Sequence, residues 1–157
     1  MNYNETKKLL TQYLLARIPF VGLNTIEKGR ALELLNEISK ETNMNMKVHS
    51  MSKGFTNLTT GEVYSNEKLL MGALDYIVEE LKTSENQIYI LSDVSELDTE
   101  TFTARYLVDI TNLAEQKSSS IIIITAAPIW VQLQRQGMAI DLELPTEEEL
   151  FNIIVEN

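Results

Sequence analysis

Four consecutive isoleucines followed by a threonine, residues 121–125, constrain this chain more than any other stretch. Side chains alternate across a strand, so a run with no polar member needs apolar cover on both faces. Sheets covered on both faces are typically parallel, and parallel neighbours need crossovers, usually helical. The chain should therefore alternate strands with helices. Residues 87–93, Gln-Ile-Tyr-Ile-Leu-Ser-Asp, point the same way. They read as a buried parallel strand whose carboxyl end opens onto a ligand site.

The remaining segments fit that alternation. Residues 5–17 carry Leu9, Leu10, Tyr13 and Leu14 at helical spacing, and residues 18–23 read as a strand with its proline near the start. Asn24, with Glu27 three residues on, predicts a capping box opening a helix whose apolar face is Ala31, Leu34, Leu35 and Ile38. Residues 43–51 alternate enough for a second strand. Residues 52–65 are polar and read as a connecting loop, in which Thr60-Gly61 suggests a small hairpin or an extended excursion. Leu70, Ala73, Leu74, Ile77, Val78 and Leu81 mark a core-facing helix over 66–81.

A turn capped near Asp98 or Thr99 leads into a helix carrying Phe102, Tyr106, Ile110, Leu113 and Ala114. Trp130 and Leu133 lie in a short helix or turn, with Trp130 as a packing anchor. Residues 139–144 form a fifth, edge-like strand that Pro145 stops, and Thr146 with Glu149 predicts a capping box for a final helix over 147–155. These elements make one α/β domain over 1–157, a three-layer sandwich around a five-stranded, mostly parallel sheet.

The composition excludes several classes. A formal net charge of −10 leaves no basic face for nucleic acid. There is no cysteine, hence no disulfide framework, thiolate zinc site or cysteine nucleophile. No apolar run approaches the ~20 residues that cross a bilayer, and the first residues lack the order of a signal peptide. A cytoplasmic protein is expected, with no membrane partner.

Ligands of open α/β sheets lie beyond the strands' carboxyl ends, here Asn24, Ser50, Ser92, Asp93, Thr125 and Ala126. A triphosphate needs a glycine-rich loop, a lysine and a hydroxyl between the first strand and the next helix. Aligning Gly29-Arg30-Ala31 with the end of such a loop leaves Asn24 for its first glycine, arginine for the lysine and alanine for the hydroxyl. Glu27 adds a negative charge there. Asp93 is either a metal ligand or a cap for the following helix or turn, and Val94 beside it cannot act as a general base. His49, the one histidine, reads as a packing or surface residue. The acids Glu147 to Glu149 point about 100° apart on a helix and do not converge on a metal. A phospho-receiver site fails because Asn24 and Pro145 stand where an acidic pair and a lysine belong. No catalytic residue and no metal ligand set is assigned.

The order of several short motifs carries a resemblance. Val48-His-Ser-Met-Ser-Lys-Gly54, Thr60-Gly-Glu-Val-Tyr64, Ala73-Leu-Asp-Tyr-Ile77, Ile88-Tyr-Ile-Leu-Ser-Asp93, residues 121–128, Asp141-Leu-Glu-Leu-Pro145 and Glu147-Glu-Glu-Leu150 follow one another. In that order they resemble the N-terminal part of the hypothetical-chloroplast-frame type of AAA+ ATPase, found in plastids and bacteria. The resemblance implies an AAA+ core, of the P-loop NTPase class, that has lost its phosphate loop and is followed by a complete AAA+ module. It also implies a sheet order of 5-1-4-3-2, counting strands along the chain, and residues 145–157 as the start of a truncated helical lid.

Asp93 then takes the position of the metal-binding aspartate and Thr125 that of the polar sensor, while Arg135 falls where an arginine finger would lie. Asn24, Asp93 and Thr125 are thus vestigial nucleotide-site candidates. The expected function is a non-catalytic module for assembly or partner binding within a larger AAA+ ATPase, with no cofactor of its own. Its expected partners are the AAA+ module of the same or a partner polypeptide, other proteins, and further copies in a homo-oligomer. The alternatives are an ATPase or hydrolase binding ATP and Mg²⁺ at an atypical site around Asp93, and a stand-alone nucleotide-binding adaptor.

Overall fold

Helix α1 (Tyr3–Leu15) opens on Asn2, whose side chain accepts the Glu5 N–H at 2.8 Å. The structure, a computed structural model, describes residues 2–142. After α1 come β1 (Phe20–Asn24), α2 (Lys28–Thr42), β2 (Lys47–Ser50), β3 (Gly54–Asn57), β4 (Val63–Ser65) and α3 (Leu70–Leu81). The chain continues through β5 (Ile88–Leu91), α4 (Phe102–Gln116), β6 (Ser120–Thr125), α5 (Val131–Gln134) and β7 (Met138–Asp141).

One mixed sheet in the order β4-β3-β2-β5-β6-β1-β7 divides two apolar layers. Strand β6 shows why its isoleucine run is needed. Ile121 and Ile123 enter the layer filled from α3, α4 and Leu133 of α5, while Ile122 and Ile124 enter the layer filled from α1 and α2. Strand β5 divides likewise, Tyr89 and Leu91 facing the first layer and Ile88 and Ile90 the second. Burial on both faces is thus satisfied residue by residue.

The expected five-stranded sheet of order 5-1-4-3-2 is corrected: there are seven strands, and the order differs by β3 and β4, which are added beyond β2. The difference lies in residues 52–65, read as a loop, which fold back antiparallel on β2 as β3 and then β4. Glycine makes the reversal feasible. Gly54 has φ +76°, and a Cβ there would stand 2.3 Å from the Ser65 carbonyl oxygen. Strands β2, β5, β6, β1 and β7 pair in parallel.

The capping box at Asn24 is also corrected. Asn24 belongs to β1, paired with Thr125 on one side and Asp141 on the other, so the ladder outcompetes the cap. Helix α2 begins later, after Glu27, which makes no side-chain cap bond. Helix α3 begins at Leu70 rather than at 66, and α4 is capped by Thr101 instead of Asp98 or Thr99. The strand expected over 139–144 is β7, one residue earlier at its start. Residues 143 and 144, Pro145, the Thr146–Glu149 capping box, the acids Glu147 to Glu149, the helix over 147–155 and the lid start over 145–157 lie outside the described residues. Among the described residues no helix is long and apolar enough to cross a membrane.

A polar knot ties α3 to the sheet. Glu80 of α3 pairs with Lys47 of β2 and accepts hydrogen bonds from Tyr89 of β5 at 2.6 Å and Tyr76 at 3.0 Å. The Lys47 ammonium also lies 4.8 Å from the Tyr64 ring centre. Burial pushes the Glu80 carboxyl up, but Lys47 and the two tyrosines outweigh it and hold it below the usual carboxylate range. Glu80→Ala leaves Lys47 largely buried without a counter-charge. Removing one partner of a buried pair costs about 3–5 kcal/mol. Because Lys47 and Glu80 keep 11% and 19% exposure, the lower end is expected, measured as a urea midpoint shift.

Candidate functional site

Right-handed crossovers between parallel strands run each helix back over the sheet, so helix N-termini gather at the strands' carboxyl ends. This rim holds the residues from which chemistry is expected. At its centre Asp93, two residues past β5, accepts the Lys28 ammonium at 2.6 Å through Oδ1 and the Met51 N–H at 2.7 Å through Oδ2. Burial alone would raise the Asp93 carboxyl. The Lys28 ammonium and the Met51 N–H prevail and hold it below its ordinary range. Asp93 therefore clamps β2, β5 and α2 together rather than capping the helix that follows it.

The neighbouring positions are engaged as well. Ser92 donates through Oγ and N–H to the His49 carbonyl at 2.7 and 3.2 Å, prolonging the β2–β5 ladder. His49 is fully buried, its Nε2 bonded to the Glu67 carbonyl at 2.9 Å and its ring 5.2 Å from that of Phe55, as a packing residue. Asn24 is exposed at the end of β1 and in register with Thr125. The Thr125 carbonyl accepts the Thr25 N–H at 3.0 Å, and its hydroxyl accepts the Ala127 N–H at 3.1 Å. The β1–α2 connection is only Thr25, Ile26 and Glu27, and the Glu27 N–H donates to the Thr25 hydroxyl at 3.0 Å.

Asn24 and Thr125 thus share one ladder rung, while Asp93 joins Lys28 and Met51, two residues the sequence reading passed over. The available signal was Lys28 itself, a cation opening the first helix after a strand, with a buried strand ending on aspartate to receive it. Arg135 ends α5 as its C-cap and is exposed. Val94 is half-buried against the layer of α3 and α4. A hollow of about 380 Å³, lined in part by Lys28, Ser50, Ser52, Lys53 and Ser92, opens between α2 and the β2–β3 turn.

Much of the rim is apolar. Eight large apolar side chains are exposed among the described residues, and five of them follow a strand's carboxyl end or open a helix: Ile26, Met51, Leu69, Phe102 and Val131. Ile26 is 80% and Phe102 75% exposed. Leaving such a side chain in water forgoes about 1.5–3 kcal/mol of burial. Their concentration at one end is therefore a property of the surface.

A family model for the SpoVK-like AAA ATPase, N-terminal domain, matches residues 6–142. No curated protein matches the chain.

A carboxyl held below its ordinary value stabilises the fold above that value, and the contribution is lost as pH falls through the depressed one. Asp93→Asn should accordingly unfold more easily at neutral pH, by about 1 kcal/mol because Lys28 is half-exposed. The gap from the parent protein should close as pH falls below about 4. Urea titrations of both proteins across the acid range measure it.

Proposed function

The chain belongs to the family of SpoVK-like AAA ATPase N-terminal domains, and from that premise we propose that it is a non-catalytic module for assembly or partner binding within a larger AAA+ ATPase. The observation that carries this reading is the Lys28–Asp93 ion pair. In a nucleotide-hydrolysing sheet cations around the start of the helix after the first strand face phosphate, and the aspartate ending the buried strand reaches magnesium. Here the two groups meet each other at 2.6 Å.

The backbone supports the same conclusion. A phosphate cradle needs free N–H groups ahead of the helix. In the three-residue connection the Thr25 N–H is given to Thr125 and the Glu27 N–H to the Thr25 hydroxyl. The Glu27 carboxylate beside them would repel phosphate. These residues do not fit a triphosphate with its metal.

The finer proposal is that this is the phosphate-loop-less module of the hypothetical-chloroplast-frame type of AAA+ ATPase. It would act in the cytoplasm beside an AAA+ module of the same or a partner polypeptide, with further copies or other proteins as partners. In this reading Asn24, Asp93 and Thr125 serve the fold.

Calorimetric titration with ATP and Mg²⁺ should give no saturable heat and no phosphate release. Micromolar binding with turnover would overturn the proposal. A nucleotide-binding adaptor would instead show thermal stabilisation without turnover, about 2.7 kcal/mol at a ligand concentration 100 times its dissociation constant.

A further inference from the structure

The apolar rim is hollowed where α4 and α5 begin. Two hollows of about 520 and 470 Å³ flank the first turns of α4, and Glu100, Arg105 and Asp109 line both. Phe102 stands in the first hollow and Trp130 in the second. The two are parts of one surface, because the Trp130 N–H donates to the Leu97 carbonyl at 2.6 Å and so ties the start of α5 to the loop that leads into α4. An exposed phenylalanine and a half-buried tryptophan beside hollows of this size match the aromatic anchors of a protein-binding surface.

The charge of this surface identifies what it accepts. Residues 96–104, which lead into α4, hold Glu96, Asp98 and Glu100 and no base. Within the hollows two carboxylates, Glu100 and Asp109, face one cation, and that cation, Arg105, already lies 3.8 Å from Glu100. A second copy of the chain would bring a net charge of −10 against an equal one. We propose that the groove formed by α4 and α5 binds a basic, amphipathic segment of a partner protein, its apolar side chains against Phe102 and Trp130 and its cations against Glu100 and Asp109. The proposal rests on the partner-binding reading above and supplies its surface and the chemistry of its partner.

Trp130 is the one tryptophan of the chain, so its fluorescence reports on this groove alone. The probe is a short amphipathic peptide of leucine and lysine, compared with its leucine and glutamate counterpart. The lysine peptide should shift the Trp130 emission saturably and more weakly as salt rises, whereas the glutamate peptide should not. Phe102→Ser and Asp109→Lys should each weaken the response by about tenfold, and Glu115→Ala, at the far end of α4, should leave it unchanged.

Equal responses to both peptides, or responses indifferent to Phe102→Ser and Asp109→Lys, overturn the proposal. So does an emission shift that appears with protein concentration alone and tracks a dimer in sedimentation, which assigns the groove to a second copy. Nucleotide calorimetry on the same sample keeps the two readings separate. Silence toward both peptide and ATP overturns the groove and leaves the non-catalytic role standing, while ATP turnover beside a lysine-peptide response does the reverse.

Discussion

Parallel pairing is the constraint on which the molecule depends. Strands β2, β5, β6, β1 and β7 all point one way, so the chain must return over the sheet between them. Those returns supply α2 to one face and α3, α4 and α5 to the other, and they explain why β5 and β6 can be buried on both faces. The same returns collect the starts of the helices at one rim. In open α/β sheets that rim is where ligands generally bind.

At that end the polar residues bond to one another. Lys28, Asp93 and the Met51 N–H form a closed set, Ser92 is committed to the His49 carbonyl, and the Thr25 and Glu27 N–H groups are taken within their own loop. The Lys28–Asp93 ion pair joins α2 to the end of β5. Exposed apolar side chains stand around the same rim.

Burial and periodicity were legible in the residues, while competition between hydrogen bonds was not. The isoleucines of β6 and the spacing of Ala73, Leu74, Ile77 and Leu81 locate core-facing elements because apolar side chains leave few alternatives. Asn24 was ambiguous for a physical reason. An asparagine before a helix is a good cap, yet here its backbone is held by Thr125 and Asp141 from strands far away in sequence. Thr60-Gly61 suggested the turn of the β3–β4 hairpin, but its addition to the sheet was not legible, because its strands have three or four residues and depend on β2 for pairing. Lys28 gained its meaning only from Asp93, sixty-five positions along the chain.

That hairpin gives the sheet a handed pair of borders. On one side β4 ends the array with three residues and a register shift against β3, a short and irregular margin that gives an incoming strand little to copy. On the other side β7 runs four residues in unbroken register with β1, and its outer backbone has no further strand among the described residues. Among the described residues the two margins of the sheet therefore differ in regularity, broken in register at β4 and continuous at β7.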